Sequence, residues 1–276
     1  MNVRKITLRV VGALAVVAIA VISLWYGANN GLLPAEVSSE SRDIDQLFRV
    51  MLVIATAVFL LVEGALIYSV LAFRQKPGDT TDGPPIHGSV PLEIFWTAVP
   101  AAVVLWISVY SFSVSTKVAA GGSGGLGCTV DCPMIVQNTA APSGKELMVN
   151  VTAQQYAWTF KYPGYDTEVG ELHVPLGREV IVNMTSKDVI HAFWVPEFRL
   201  KQDVIPGRVT RLRFTAIKAG TYPLRCAELC GANHGVMITQ VVVDEPKDFE
   251  KWEKTELAGG VAQGTTPASA AALALK

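Results

Sequence analysis

Three long apolar runs dominate the first part of the chain. Residues 10–35 carry no charged side chain, residues 50–73 carry only Glu63, and residues 94–116 again carry none. A helix that crosses a bilayer needs about 20 mostly apolar residues, so each run is long enough to span one. The pattern therefore predicts up to three membrane-spanning helices before Lys117 and none after it.

The charges that flank these runs predict how the chain crosses the membrane. Basic flanks stay in the cytoplasm, and the segment between the first two runs is net acidic. The basic flanking residues are Arg4, Lys5, Arg9, Arg74 and Lys76. Three spans then place the remainder of the chain outside. The first run could instead be a secretory signal, but the bulky segment Leu24-Trp25-Tyr26 is a poor cleavage site and favours an uncleaved span.

Beyond the third run the pattern changes to short segments that alternate apolar and polar residues. Turns containing Pro and Gly separate these segments, which is typical of a β-sandwich or barrel. The predicted strands are residues 146–151, 154–160, 179–184, 210–214 and 235–243. Residues 247–257 are predicted to form a short amphipathic helix.

The predicted organisation has five parts, with an all-β sandwich following the membrane helices. They are residues 1–30 (N-terminal span or signal anchor), 44–117 (transmembrane helical hairpin), 118–143 (Gly-rich linker and Cys-containing insertion), 144–254 (β-sandwich) and 255–276 (flexible tail). Composition agrees with a membrane protein, because only 17% of residues are charged, against about 25% in an average soluble domain. A net charge of −1 gives nucleic acid binding little support.

Candidate metal ligands concentrate in one short segment of the predicted sandwich. Cys226, Cys230, His234 and Met237 lie within 12 positions, and His191 comes from a segment that is predicted to be a loop. Thiolate and thioether ligands favour copper, and a mononuclear blue-copper site needs two His, one Cys and a weak Met. This set has one more thiolate, which would suit a pair of copper ions bridged by two sulfurs.

Other interpretations of the cysteines and histidines stay open. Cys226 and Cys230 could form a disulfide in an oxidising compartment or hold a structural zinc ion, although a thioether is not a usual zinc ligand. Cys128 and Cys132, directly after the linker, are expected to form a disulfide, with free thiols or an accessory metal site as alternatives. His87 and His173 are expected to be surface groups rather than ligands.

The segment Cys226–Met237, CAELCGANHGVM, resembles the dinuclear copper A motif of cytochrome c oxidase subunit II. Residues 188–208 and 92–100 also resemble that family, and the resemblance extends over roughly residues 46–252. It implies that the sandwich at 144–254 is a cupredoxin-like copper A domain. Quinol-oxidising relatives have lost the cysteines that are present here.

The resemblance also implies the metals and their ligands. Cys226 and Cys230 would bridge two copper ions as thiolates, and His191 and His234 would each ligate one of them. The weak ligands would be Met237 and the backbone carbonyl of Glu228. The side chain of Glu228 would bind a magnesium ion that is shared with subunit I.

Residues for electron entry and proton entry follow from the same resemblance. Many family members have a Trp-Tyr-Trp run whose first Trp receives the electron; here Tyr156 is at that position and Trp158 matches the second Trp. The alternative is that both simply belong to one face of a core strand. Glu93 resembles the carboxylate at the mouth of a proton path, or it is an ordinary interfacial carboxylate. Glu63, within an apolar run, has no assigned role.

The resemblance implies an electron-entry subunit that accepts single electrons from a soluble c-type cytochrome or a plastocyanin-like copper protein. It would pass them to a haem in subunit I, where oxygen is reduced to water with proton pumping, and subunit III would be a further partner. Cyanobacterial members are the most similar, which suggests a plasma or thylakoid membrane with the copper domain on the periplasmic or lumenal side. The alternative is a membrane-anchored copper-binding or copper-delivery protein, which would need exposed and exchangeable ligands.

Overall fold

The computed structural model describes residues 3–75, 88–119 and 146–259, together with Gly78, Gly83 and Pro85. These residues form two compact units. The first contains Met1–Leu33 and Asp45–Val114, and the second contains Pro34–Ile44 and Ser115–Lys276. Most of the predicted linker and tail, and the predictions made for Cys128, Cys132 and His87, lie outside the described residues.

Three long helices confirm the three predicted spans. They are α1 (Val3–Asn29), α2 (Ser39–Ala72) and α3 (Val90–Ala119). Each is long and apolar enough to cross a membrane. Pro100 lies inside α3, where it removes one backbone hydrogen bond from the helix.

A close approach between α1 and α2 depends on Gly27. Gly27 and Ser23 are both buried. A Cβ atom at Gly27 would overlap the side chain of Val53 and lie 3.3 Å from the backbone carbonyl of Arg49. Small residues allow helices to pack closely in a bilayer, where apolar surface alone gives no driving force for association. The first apolar run is therefore packed in the structure as a helix of the membrane unit.

We expect Gly27→Leu to weaken the packing of α1 on α2, because the new side chain must displace Val53. Overpacking of this kind costs about 1–3 kcal/mol. Gly12→Leu is the matched control, since a Cβ at Gly12 meets no atom within 4 Å. Thermal unfolding of the full chain in detergent measures the difference, and equal melting temperatures for the two variants would contradict the packing described.

The second unit is a sandwich of two five-stranded sheets, as predicted. In sheet order, the first consists of β3 (Glu168–Val169), β2 (Ala157–Lys161), β1 (Leu147–Gln154), β5 (Glu179–Ser186) and β8 (Thr210–Thr215). The second consists of β4 (Leu172–Pro175), β10 (Ile238–Asp244), β9 (Gly220–Cys226), β6 (His191–Val195) and β7 (Leu200–Val204). Strands β1 and β5 are parallel, as are β4 and β10, and the other pairs are antiparallel.

Alternation along the strands fills the core between the sheets. Successive side chains of a strand point to opposite faces, so β1 buries Leu147, Val149, Val151 and Ala153. Helix α4 (Pro246–Trp252) continues as a π-helical turn, Glu253–Leu257. Leu257 is buried, so the packed domain extends slightly beyond the predicted boundary at 254.

Residues 34–44, nearly all of which lie between the predicted parts 1–30 and 44–117, belong to the sandwich unit. Val37 is fully buried, and its carbonyl accepts a hydrogen bond of 2.7 Å from the backbone of Ile217. The carboxylate of Glu40 accepts a hydrogen bond of 3.2 Å from the backbone of Thr215. A soluble fragment that starts after α3 would lack these contacts, so the full chain is the better object for experiments.

Candidate metal centre

Two antiparallel neighbours, β9 and β10, present most of the candidate ligands at one end of the second sheet. Strand β9 ends at Cys226 and β10 begins at Ile238. A hydrogen bond of 3.1 Å from the Cys226 N–H to the carbonyl of Met237 closes the loop between them. Strand β6 lies beside β9, with Phe193 opposite Cys226. His191 is the first residue of β6 rather than part of a loop, and the antiparallel pairing brings it to the same end.

The two cysteine sulfurs lie 3.8 Å apart, well beyond the S–S bond length of about 2.05 Å. Both cysteines are free thiols, so the structure does not contain the disulfide considered as an alternative. His191 Nδ1 lies 3.7 Å from the sulfur of Cys226, and His234 Nδ1 lies 3.5 Å from the sulfur of Cys230. Each sulfur therefore has its own imidazole nitrogen.

Each sulfur also has a weaker donor beside it. Met237 Sδ lies 3.8 Å from the sulfur of Cys230, and the backbone carbonyl oxygen of Glu228 lies 3.3 Å from that of Cys226. His191 and Met237 are completely buried, and both cysteines are nearly so. The result is two similar half-sites that share a pair of sulfurs within the protein.

Asp188 fixes the orientation of the His191 ring. Its carboxylate lies 2.9 Å from His191 Nε2. Burial opposes ionisation of this carboxyl, but hydrogen bonds from the His191 ring and from the backbone N–H groups of Gln155 and Val189 lower the pKa of Asp188 to about 2. A carboxylate can only accept a hydrogen bond, so His191 Nε2 is the donor of this bond. The other ring nitrogen, Nδ1, then faces the sulfur of Cys226.

The thiol of Cys230 is held in its protonated form at neutral pH. Burial, together with the hydrogen bond and the charge of the neighbouring Cys226, raises the pKa of Cys230 to about 11. A metal ion binds the thiolate rather than the thiol. Metal binding at this cysteine must therefore release a proton.

Comparison with known protein families agrees with this geometry. Residues 167–245 match the model for the periplasmic domain of cytochrome c oxidase subunit II, and residues 23–114 match the model for its transmembrane domain. The chain is 43% identical to cytochrome c oxidase subunit 2 of Synechocystis sp., over 90% of this chain and 82% of the relative. The subunit 2 of Thermostichus vulcanus is 41% identical, over 86% and 82% of the two chains. The chain belongs to the cytochrome c oxidase subunit II family.

Solved structures include domains from the same family. The crystal structure of the periplasmic domain of subunit II from Bradyrhizobium japonicum is 32% identical over 43% of this chain and 97% of that one, with a TM-score of 0.40. As a subunit II, the chain is a component of an oxidoreductase complex, and it carries a copper A-type domain outside the membrane.

The two candidate electron-entry residues, Trp158 and Tyr156, differ in burial. Trp158 is buried, and its ring makes edge contacts with the rings of His191 and Phe193, at centroid distances of 6.2 and 5.9 Å. Tyr156 is half-buried. A Cβ at Gly231 would lie only 2.6 Å from its hydroxyl, and Gly231 has a φ of +130°. Glycine is needed there for both reasons.

Glu228, Glu93, Glu63 and His173 differ in their exposure. The side chain of Glu228 is half-buried, although its carbonyl belongs to the cluster. Glu93 and Glu63 are exposed residues of α3 and α2 in the first unit. His173, expected to be a surface group rather than a ligand, is half-buried: its ring stacks on Trp252 at a centroid distance of 4.2 Å, and its Nδ1 lies 2.8 Å from Asp244.

Sequence reasoning missed two residues that support the ligands. Asp188 lies in the segment 188–208 that resembles the family, and Gln155 lies in the predicted strand 154–160, but neither has a predicted role at the metal site. The position of Asp188 three residues before His191 is a weak local signal. Gln155 gives none, because its contact with the ligand loop joins residues that are 75 positions apart.

We expect Asp188→Asn to weaken copper binding by about 10–100-fold, the usual effect of removing the hydrogen-bond partner of a metal-bound histidine. Asp166→Asn, at an exposed acidic residue of the same domain, is the matched control. Competition with a chelator of known affinity measures both variants. An affinity of Asp188→Asn equal to that of the control would show that Asp188 does not support His191.

We also expect copper binding to strengthen as the pH rises, because a raised thiol pKa means that a proton must leave Cys230. Linkage predicts roughly a tenfold gain in affinity per pH unit for each proton released. Calorimetric titration of the full chain in buffers of different ionisation enthalpy measures this proton release. Cys230→Ser should release fewer protons, and equal release by the two proteins would contradict the assignment.

Proposed function

We propose that this chain is the electron-entry subunit of its oxidase and holds a dinuclear copper A centre. The observation that carries the proposal is the pair of free cysteine sulfurs 3.8 Å apart, each beside its own imidazole nitrogen. The copper ligands would be His191, Cys226, the Glu228 carbonyl, Cys230, His234 and Met237. Two copper ions, rather than one, account for the second thiolate.

The donor set fits copper better than the alternatives. Thiolate, thioether and imidazole form a soft set that favours copper, and a buried thioether has no usual role in a zinc site. When bound, the copper pair would supply a one-electron carrier whose charge is shared between two metals. The protein holds His191 through Asp188, and the two sheets keep the ligands in place, so little needs to rearrange on electron transfer.

Tyr156 and Trp158 are the proposed aromatic residues between the donor and the ligands. Tyr156 is half-buried, whereas Trp158 is buried against the His191 ring. A donor would therefore contact Tyr156 first. We propose a soluble c-type cytochrome or a plastocyanin-like copper protein as the donor. Tyr156→Leu should slow reduction by that donor several-fold more than any accompanying change in reduction potential accounts for; an unchanged rate in stopped-flow measurements would contradict this order.

Further parts of the proposal concern the partner subunits. Electrons would pass to a haem in subunit I, where oxygen is reduced to water with proton pumping, and subunit III would complete the assembly. The carboxylate of Glu228 would bind a magnesium ion shared with subunit I, and Glu93 would serve the entry of a proton path. The copper domain would lie on the periplasmic or lumenal side of a plasma or thylakoid membrane.

Burial of the ligands disfavours the copper-delivery alternative. A delivery protein exchanges its metal with partners and needs accessible ligands. Here His191 and Met237 are completely buried, Cys226 and Cys230 are 8% and 3% exposed, and His234 is half-buried. This burial suits a centre that retains its metal and exchanges only electrons.

Electron paramagnetic resonance of the full chain, purified in detergent and loaded with copper, tests the proposal. An electron shared equally by two copper nuclei gives a seven-line hyperfine pattern, whereas a single copper gives four lines. Cys226→Ser should abolish the seven-line pattern because one bridge is lost. A chain with both Cys128 and Cys132 changed to Ser is the control and should keep the pattern. A four-line or silent spectrum of the unsubstituted protein would contradict the dinuclear centre.

A further inference from the structure

The turn between β1 and β2, Gln155-Tyr156, contacts the ligand loop from the opposite sheet. The side-chain amide of Gln155 donates a hydrogen bond of 2.6 Å to the backbone carbonyl of Cys230. The backbone N–H of Gln155 donates a hydrogen bond of 2.6 Å to the carboxylate of Asp188. Gln155 is thus hydrogen-bonded both to the loop that precedes His191 and to the loop that holds Cys230.

These contacts close a ring around the candidate centre. From His191 the ring passes through the carboxylate of Asp188 to Gln155, and from the Gln155 amide to Cys230. The cysteine sulfurs and the His191 ring complete it. The ring therefore connects His191, which lies beside the sulfur of Cys226, to Cys230, whose sulfur lies beside His234.

Packing beside this hydrogen bond leaves the loop little freedom. A Cβ atom at Gly231, the residue after Cys230, would lie 2.8 Å from Gln155 Nε2 and 2.6 Å from the hydroxyl of Tyr156. The turn therefore lies directly against the Cys230–Gly231 backbone. A shift of this backbone moves the Cys230 sulfur relative to the sulfur of Cys226, which changes the two half-sites unequally.

We propose that Gln155 is a positioning residue of the copper centre, because its amide holds the Cys230 backbone so that the two half-sites stay equivalent. This inference rests on the proposed dinuclear centre. Outer hydrogen-bond partners of this kind orient ligands and tune a metal site. The N–H dipole directed at the Cys230 peptide also offsets part of the negative charge of the thiolates.

The test compares Gln155→Met, which keeps the length of the side chain but removes the donor, with Gln202→Met in the full chain. Gln202 is the matched control because its amide also donates to a backbone carbonyl, that of Asp203 on β7. Three properties are measured at equal copper content: the hyperfine pattern, the reduction potential and the rate of copper loss to a chelator. We expect Gln155→Met to give unequal copper couplings, a lower reduction potential and about tenfold faster copper loss.

A second substitution keeps the proposal testable if Gln155→Met folds poorly. Gln155→Lys restores a donor that can reach the carbonyl, and it should recover a slow rate of copper loss and an even pattern. If Gln155→Met matches the unsubstituted chain in all three properties, Gln155 has no positioning role, while the dinuclear centre stands. If the unsubstituted chain itself lacks the seven-line pattern, both the centre and the positioning role are wrong.

Discussion

The antiparallel pairing of β9 with β10 is the constraint on which the rest of the site depends. It closes the loop between Cys226 and Met237, and the neighbouring β6 adds His191 at the same end. In a flexible chain the distance between the two thiols would vary, but here their sulfurs are held 3.8 Å apart. The cost of ordering the ligands is met when the sandwich folds, not when a metal binds.

Supporting contacts around this loop come from distant parts of the chain. Asp188 orients one imidazole, and Gln155 reaches the loop from the other sheet. The sandwich also takes up residues 34–44, which precede the second membrane helix in sequence. The low share of charged residues in the whole chain is due to the three apolar helices, which precede an ordinary β domain. The segment 34–44, which follows α1 in sequence, is part of that domain.

Local patterns in the sequence predicted much of the fold because they reflect local physics. The three spans follow from length and hydropathy, and β1 and β5 follow from alternation of apolar residues. Strands β7 and β9 were missed because β7, LKQDV, is rich in charge and polar groups and β9 contains Pro223. The closeness of Cys226 to Met237 was predictable from spacing alone, whereas the roles of Asp188 and Gln155 depend on tertiary contacts that no local pattern records.

In the proposed centre, one chain holds two copper ions between the sulfurs of Cys226 and Cys230. Anomalous diffraction at the copper edge, from crystals of the copper-loaded protein, tests it most directly. We expect two copper peaks per chain, each within bonding distance of both sulfurs and each with one imidazole Nδ1. A single peak, or two peaks that do not share the sulfurs, would contradict it.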